Sequence, residues 1–123
     1  NLMIIFVGHV SVSEIFNYSV NFLISELKTL IKKENKNRKI KTETYKGKTI
    51  CIIDYDEEYS SIPYLIPYMA SSYVDYNKFV IIGKNKHQMR KGFIFKISSD
   101  ELEPYKKFVV IVNKIIDEFK TLF

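Results

Sequence analysis

The residues best suited to do chemistry in this chain are cations. Lys84, Lys86, His87, Arg90 and Lys91 lie between Gly83 and Gly92, with no acid among them. Phe79, Phe93 and Phe95 flank that stretch. Lysine and arginine neutralise phosphates, and aromatic rings stack on the bases of a single strand. The pattern points to nucleic-acid attachment at a basic hairpin loop. The competing reading is a solvated hairpin tip above buried phenylalanines, which asks for no ligand.

Other chemistries find less support. Asp54, Asp56, Glu57 and Glu58 form an acidic group after an apolar run. Hard cations take such oxygens, and open α/β sheets place ligands beyond the carboxyl ends of their strands. Yet no acid–glycine calcium loop is present, and no second cluster is spaced to close a coordination shell. The simpler reading is a solvated acidic turn that leads into a helix. His9 and His87 are the two histidines, and neither belongs to a Cys/His spacing or a nucleophile motif. Gly8, Gly47, Gly83 and Gly92 are too scattered for a dinucleotide fingerprint, and no Walker loop occurs. The expectation is a protein that is not an enzyme, with no cofactor, no catalytic residues and no metal ligands.

Charge is segregated along the chain. The net charge is +5 over 123 residues. The stretch from Lys28 to Lys48 is rich in lysine, against Glu34 and Glu43 alone. From Lys78 to Lys96 there is no acid. Such a distribution argues for attraction to polyanions and says nothing about fold. One cysteine, Cys51, rules out an internal disulfide. It lies in an apolar run and reads as a small core residue of a protein kept in a reducing, cytoplasmic setting. No apolar run approaches the ~18 residues that span a membrane, so no membrane partner is expected.

The elements that must position these groups follow from periodicity. Leu2 to Val7 reads as a strand ended by Gly8. Ser11-Val12-Ser13-Glu14 matches a capping box. Phe16, Val20, Leu23, Leu27 and Leu30 then recur at helical spacing over about five turns. The cations of 32–38 suit a helix C-terminus. Residues 39–45 alternate as a strand with a charged outer face, placed at or near a sheet edge. Lys46-Gly47 turns the chain into a second strand at 48–55. The runs at 50–53 and 79–82 are continuously apolar and suit strands buried on both faces. Between them a helix opens near Ser60 or Ser61, with Pro63 in its first turn and Pro67 forcing a kink or a short helix. A strand at 93–98 alternates. A last helix opens at Pro104, with Tyr105, Phe108, Val112, Ile115, Phe119 and Leu122 as its stripe. The expected fold is a single α/β domain over 1–123. It has a mixed sheet of about five strands covered by three helices, in the order β-α-β-β-α-β-β-α.

Four segments carry a family resemblance. They are Gly47-Lys48-Thr49-Ile50-Cys51-Ile52-Ile53-Asp54, Ser60-Ser61-Ile62-Pro63-Tyr64-Leu65, Asn77-Lys78-Phe79-Val80-Ile81-Ile82-Gly83 and Gly92-Phe93-Ile94-Phe95-Lys96-Ile97-Ser98. Together they resemble the accessory nucleic-acid-binding domain of the DHH phosphoesterases, the group that includes RecJ exonuclease. Lys96-Ile97-Ser98-Ser99 stands where that domain has an Arg-Ser-type step. Ser99-Asp100-Glu101-Leu102 stands where it has a glycine-rich turn. The Asp-His-His motif of the catalytic domain is absent. The resemblance thus implies a non-catalytic relative, similar to the RecJ-like subunits of archaeal DNA replication complexes that join the GINS assembly and the replicative helicase. By that resemblance Lys96 and Ser98 match family contacts.

The expected function is therefore single-stranded nucleic-acid binding by a RecJ-like accessory subunit. The expected contacts are Lys84, Lys86, Arg90, Lys91, Lys96 and Ser98, and GINS-type or helicase proteins are the implied partners. The alternative is a protein–protein adaptor. It would use the edge strand at 39–45 or the terminal helix and would not touch nucleic acid.

Overall fold

The computed structural model describes residues 11–57, 61–75, 77–87 and 91–122. The first helix, α1 (Val12–Leu30), opens as the capping box predicts: the Ser11 hydroxyl accepts the Glu14 amide at 3.1 Å. Val20, Ile24, Leu27 and Leu30 are buried. Phe16, placed on the same stripe by its spacing, is 48% exposed. At the other end the Arg38 guanidinium donates to the carbonyls of Leu30, Lys32 and Lys33 at 3.2, 2.8 and 3.2 Å. A cation thus closes the helix where its carbonyls have no amide partners.

Next come β1 (Arg38–Tyr45) and β2 (Lys48–Tyr55), paired antiparallel from Arg38↔Tyr55 to Tyr45↔Lys48. Lys46 and Gly47 both take positive φ, 50° and 77°. Two such residues give the turn whose twist matches that of the flanking strands. Then follow α2 (Ile62–Ala70), β3 (Phe79–Asn85), β4 (Phe93–Ser99) and α3 (Pro104–Lys120). α2 is short, with 9 residues, and carries Pro67 in its interior.

The sheet differs from expectation in two ways. Among the described residues it has four strands in the order β1-β2-β4-β3, and every pair is antiparallel rather than mixed. The expected fifth strand, at 2–7, lies outside the described residues. The pairing has a simple cause. The α2 crossover carries the chain two strand positions beyond β2, and β4 then turns back into the gap.

The runs at 50–53 and 79–82 are not buried on both faces. Cys51, Ile53 and Tyr55 are fully buried, while Ile50 and Ile52, which alternate with them, are half-buried. On β3, Phe79 and Ile81 are buried and Ile82 is 56% exposed. Side chains alternate across a strand, and all three helices pack on the same side. The Tyr55 hydroxyl, buried, donates to the Leu30 carbonyl of α1 at 3.0 Å. Phe95 packs on Phe108 of α3, with ring centroids 5.2 Å apart. A Cβ on Gly83 would overlap the Pro63 carbonyl oxygen of α2, so this glycine lets helix and strand backbones touch. The architecture is α/β in two layers, with helices over one sheet face and, among the described residues, nothing over the other.

Tyr55, Phe93, Phe95 and Phe108 form the centre of the core. Tyr55 stacks on Phe93 at 4.9 Å and meets Phe95 edge-on. The stripe of α3 is core packing: Phe108, Ile111, Val112, Ile115 and Ile116 are buried. That face of the terminal helix is thus engaged within the domain. Leu122, at the end of the expected stripe, is 51% exposed.

Candidate functional site

The uncovered sheet face gathers several of the residues singled out by sequence. Even-numbered residues of β3 and β4 point to it, together with odd-numbered residues of β1 and even-numbered residues of β2. The register sets out its rows. Lys39 lies beside Asp54, Asp54 beside Ile94, and Ile94 beside Lys84. In the next row Lys41 lies beside Ile52, Ile52 beside Lys96, and Lys96 beside Ile82. Ser98, half-buried, lies between Ile50 and Val80.

Lys84 and Lys96 are diagonal neighbours on adjacent strands, roughly 7–8 Å apart at the backbone. Both are exposed. Among the described residues neither makes an ion pair, and the same holds for Lys39. Lys41 pairs with Glu43 at 2.9 Å, but both partners are largely solvated. The face is therefore a ribbon of isoleucines with an excess of lysines over Asp54 and Glu43, and Lys84 and Lys96 carry its unpaired charge.

Lys86 points the same way and has a different fate. Its side chain is 3% exposed, and its ammonium sits between Asp54 and Asp56, 2.7 Å from Asp56 Oδ1. Burial pulls its pKa down, but hydrogen bonds to the two carboxylates outweigh that and hold it above the ordinary lysine value. This cation is shared between two carboxylates, so the turn keeps a net negative charge and the ammonium has none to spare for a phosphate. The same contact accounts for Asp54 and Asp56, the acids that the sequence offered to a metal. Glu57 accepts the Asn35 side-chain amide at 3.2 Å. Among the described residues no group of three metal-ligating side chains comes together.

The remaining candidates scatter. Lys91 is exposed but borders a cleft on the helix side of the sheet, away from Lys84 and Lys96. Arg90 lies outside the described residues, as does His9, and His87 is exposed. Phe79, Phe93 and Phe95 are in the core, at 0%, 2% and 0% exposure, so no base can stack on them. Lys39 was legible as an outward strand residue but not as a member of this face, because the strand order that brings it beside Asp54 is not written locally.

The cleft encloses about 450 Å³ between α1, the end of β2 and the start of α2. Glu26, Glu57 and Asp56 line it beside Lys91, over a floor that includes Ile62 and Phe93. Burial, and then the neighbouring Glu57 carboxylate, raise the pKa of Glu26. Its acidic wall repels polyanions, the opposite preference to that of the sheet face. Among the described residues, no helix is long and apolar enough to cross a membrane.

Comparison with protein-family models, with curated proteins and with solved structures finds no match. The resemblance to the DHH accessory domain thus stands on its four segments alone.

Proposed function

We propose that this chain is a non-catalytic binding domain that holds single-stranded nucleic acid across the open face of its sheet. The supporting observation is the pair Lys84 and Lys96, exposed and without ion-pair partners among the described residues, with Lys39 across the sheet beside Asp54, on a face that no described element covers. Attachment is electrostatic. With Phe79, Phe93 and Phe95 in the core, those rings add no base stacking, so binding is chiefly electrostatic and salt-sensitive. The seat moves from the hairpin loop to the sheet, and Lys86 drops out of the contact set. The narrower role, a RecJ-like subunit working with a GINS or helicase partner in replication, draws its support from the resemblance alone.

A second reading has its own observation. Ile82 is 56% exposed and flanked by lysines, a surface that also suits an acidic, amphipathic segment of a partner protein. In that role the chain is an adaptor and has no affinity for nucleic acid.

Fluorescence anisotropy of a labelled single-stranded oligonucleotide, titrated at several salt concentrations, separates the two. Three phosphate contacts give a slope of log affinity against log salt of about −2, and each lysine changed to alanine reduces it by about 0.7. Lys86→Met leaves the slope unchanged. Absence of binding at low salt removes the nucleic-acid reading and leaves the adaptor.

A further inference from the structure

We propose that two copies of the chain pair through the outer edges of β1, antiparallel about a two-fold axis at Thr42, joining two four-stranded sheets into one. This does not rest on the nucleic-acid reading.

β1 is an edge strand whose outer side meets no described element, and every residue from Lys39 to Tyr45 is exposed. Its eight residues pair with β2 without a bulge, and none is proline. The outward backbone groups can be assigned. The Asn37 carbonyl accepts the Asp56 amide at 2.9 Å, which puts the odd-numbered residues of the strand in hydrogen-bonded pairs with β2. The amides and carbonyls of Ile40, Thr42 and Thr44 therefore point away from the sheet. Such a row is a template for another strand.

Side chains choose the register. Lysines on an edge ordinarily repel a second strand. Centred on Thr42, the pairing sets each Lys41 opposite the Glu43 of the other copy, and each Lys39 opposite the other Tyr45. Two ion pairs and two cation–ring contacts then lie on the open face, while Ile40 meets Thr44 on the helix side. Shifting the centre to Ile40 sets Lys39 against Lys41. Shifting it to Lys41 or Glu43 sets that residue against itself. From Lys39 to Tyr45 the Thr42 register sets no two like charges directly opposite; Arg38 meets Lys46 of the other copy only at the margin, and the Arg38 guanidinium is turned away to the carbonyls at the end of α1. Because the axis is perpendicular to the sheet, both sets of helices fall on one side and both open faces become continuous.

Sedimentation equilibrium over a range of protein concentrations tests the pairing. The expected mass at high concentration is twice 14.5 kDa. Glu43→Lys alone and Lys41→Glu alone each place like charges opposite, and each weakens the dimer by about tenfold or more. The double exchange Lys41→Glu with Glu43→Lys restores the attraction and the dimer. Thr42→Pro removes an outward amide and abolishes the dimer, while circular dichroism shows the fold retained. A wild-type protein that stays monomeric at every concentration overturns the proposal. So does a dimer that ignores the charge reversals and the proline.

Discussion

β1 and β3 are the two edges of one sheet, and they are held in different ways. β3 lies under α2, with Phe79 and Ile81 buried and Gly83 pressed on the Pro63 carbonyl. Just beyond its end, Lys86 is pinned between Asp54 and Asp56. β1 has a hairpin turn, a ladder to β2 and, from Lys39 onward, no buried residue. The first edge is fixed by packing from outside the sheet. The second is fixed by backbone pairing and, at its first residue, by the Arg38 guanidinium on the carbonyls at the end of α1. β3 is thereby held in position by core contacts, whereas β1 from Lys39 onward presents its outer backbone groups with no described element beside them.

The largest expected test of this contrast is Gly83→Ala. The added methyl group must displace the α2 backbone, a loss of about 3 kcal/mol in urea denaturation. A loss within about 0.5 kcal/mol would show that α2 does not grip β3 there.

Lys86→Met comes next. Removing the cation leaves Asp54 and Asp56 facing each other, and because both are partly solvated the loss is about 1–2 kcal/mol near neutral pH. The pH dependence has a definite sign. The folded ammonium titrates above its ordinary value, so its contribution is complete below the unfolded lysine pKa of about 10.4 and is lost as pH rises through the folded value. The stability difference between wild type and Lys86→Met therefore shrinks in alkaline solution. A difference independent of pH would mean that packing of the stem, not charge, holds the turn.

The smallest effect belongs to β1. Thr44→Ala, on an exposed edge residue, changes stability by less than about 0.5 kcal/mol in the same denaturation experiment. A larger loss would place hidden packing on this edge.

Local rules made much of this fold legible. Ser11 and Glu14 announced the start of α1, Lys46-Gly47 announced the hairpin, and Pro67 announced a short helix, since each acts within a few residues of itself. The stripe of α3 was readable for the same reason. The fate of the cations was not. Lys84 and Lys86 look alike in sequence and share a face, yet one is solvated and the other is buried against acids some thirty positions away. That distinction depends on β4 lying between β2 and β3, a choice made by the whole sheet. The same choice put Phe79, Phe93 and Phe95 beneath the helices, where their apolar area outweighed any use as a stacking surface.

The strand order also has a consequence for how the chain folds. β1 and β2 meet across two residues, and β3 and β4 across a short connection, so both hairpins close locally. The central ladder is different: Cys51 and Ile97 face each other across more than a third of the chain. Chain entropy must be surrendered before that ladder returns any contact energy. The expected order is that the two hairpins assemble early and that the zipping of β2 onto β4 sets the folding rate, so that Ile97→Val slows folding more than Thr44→Ala in stopped-flow refolding.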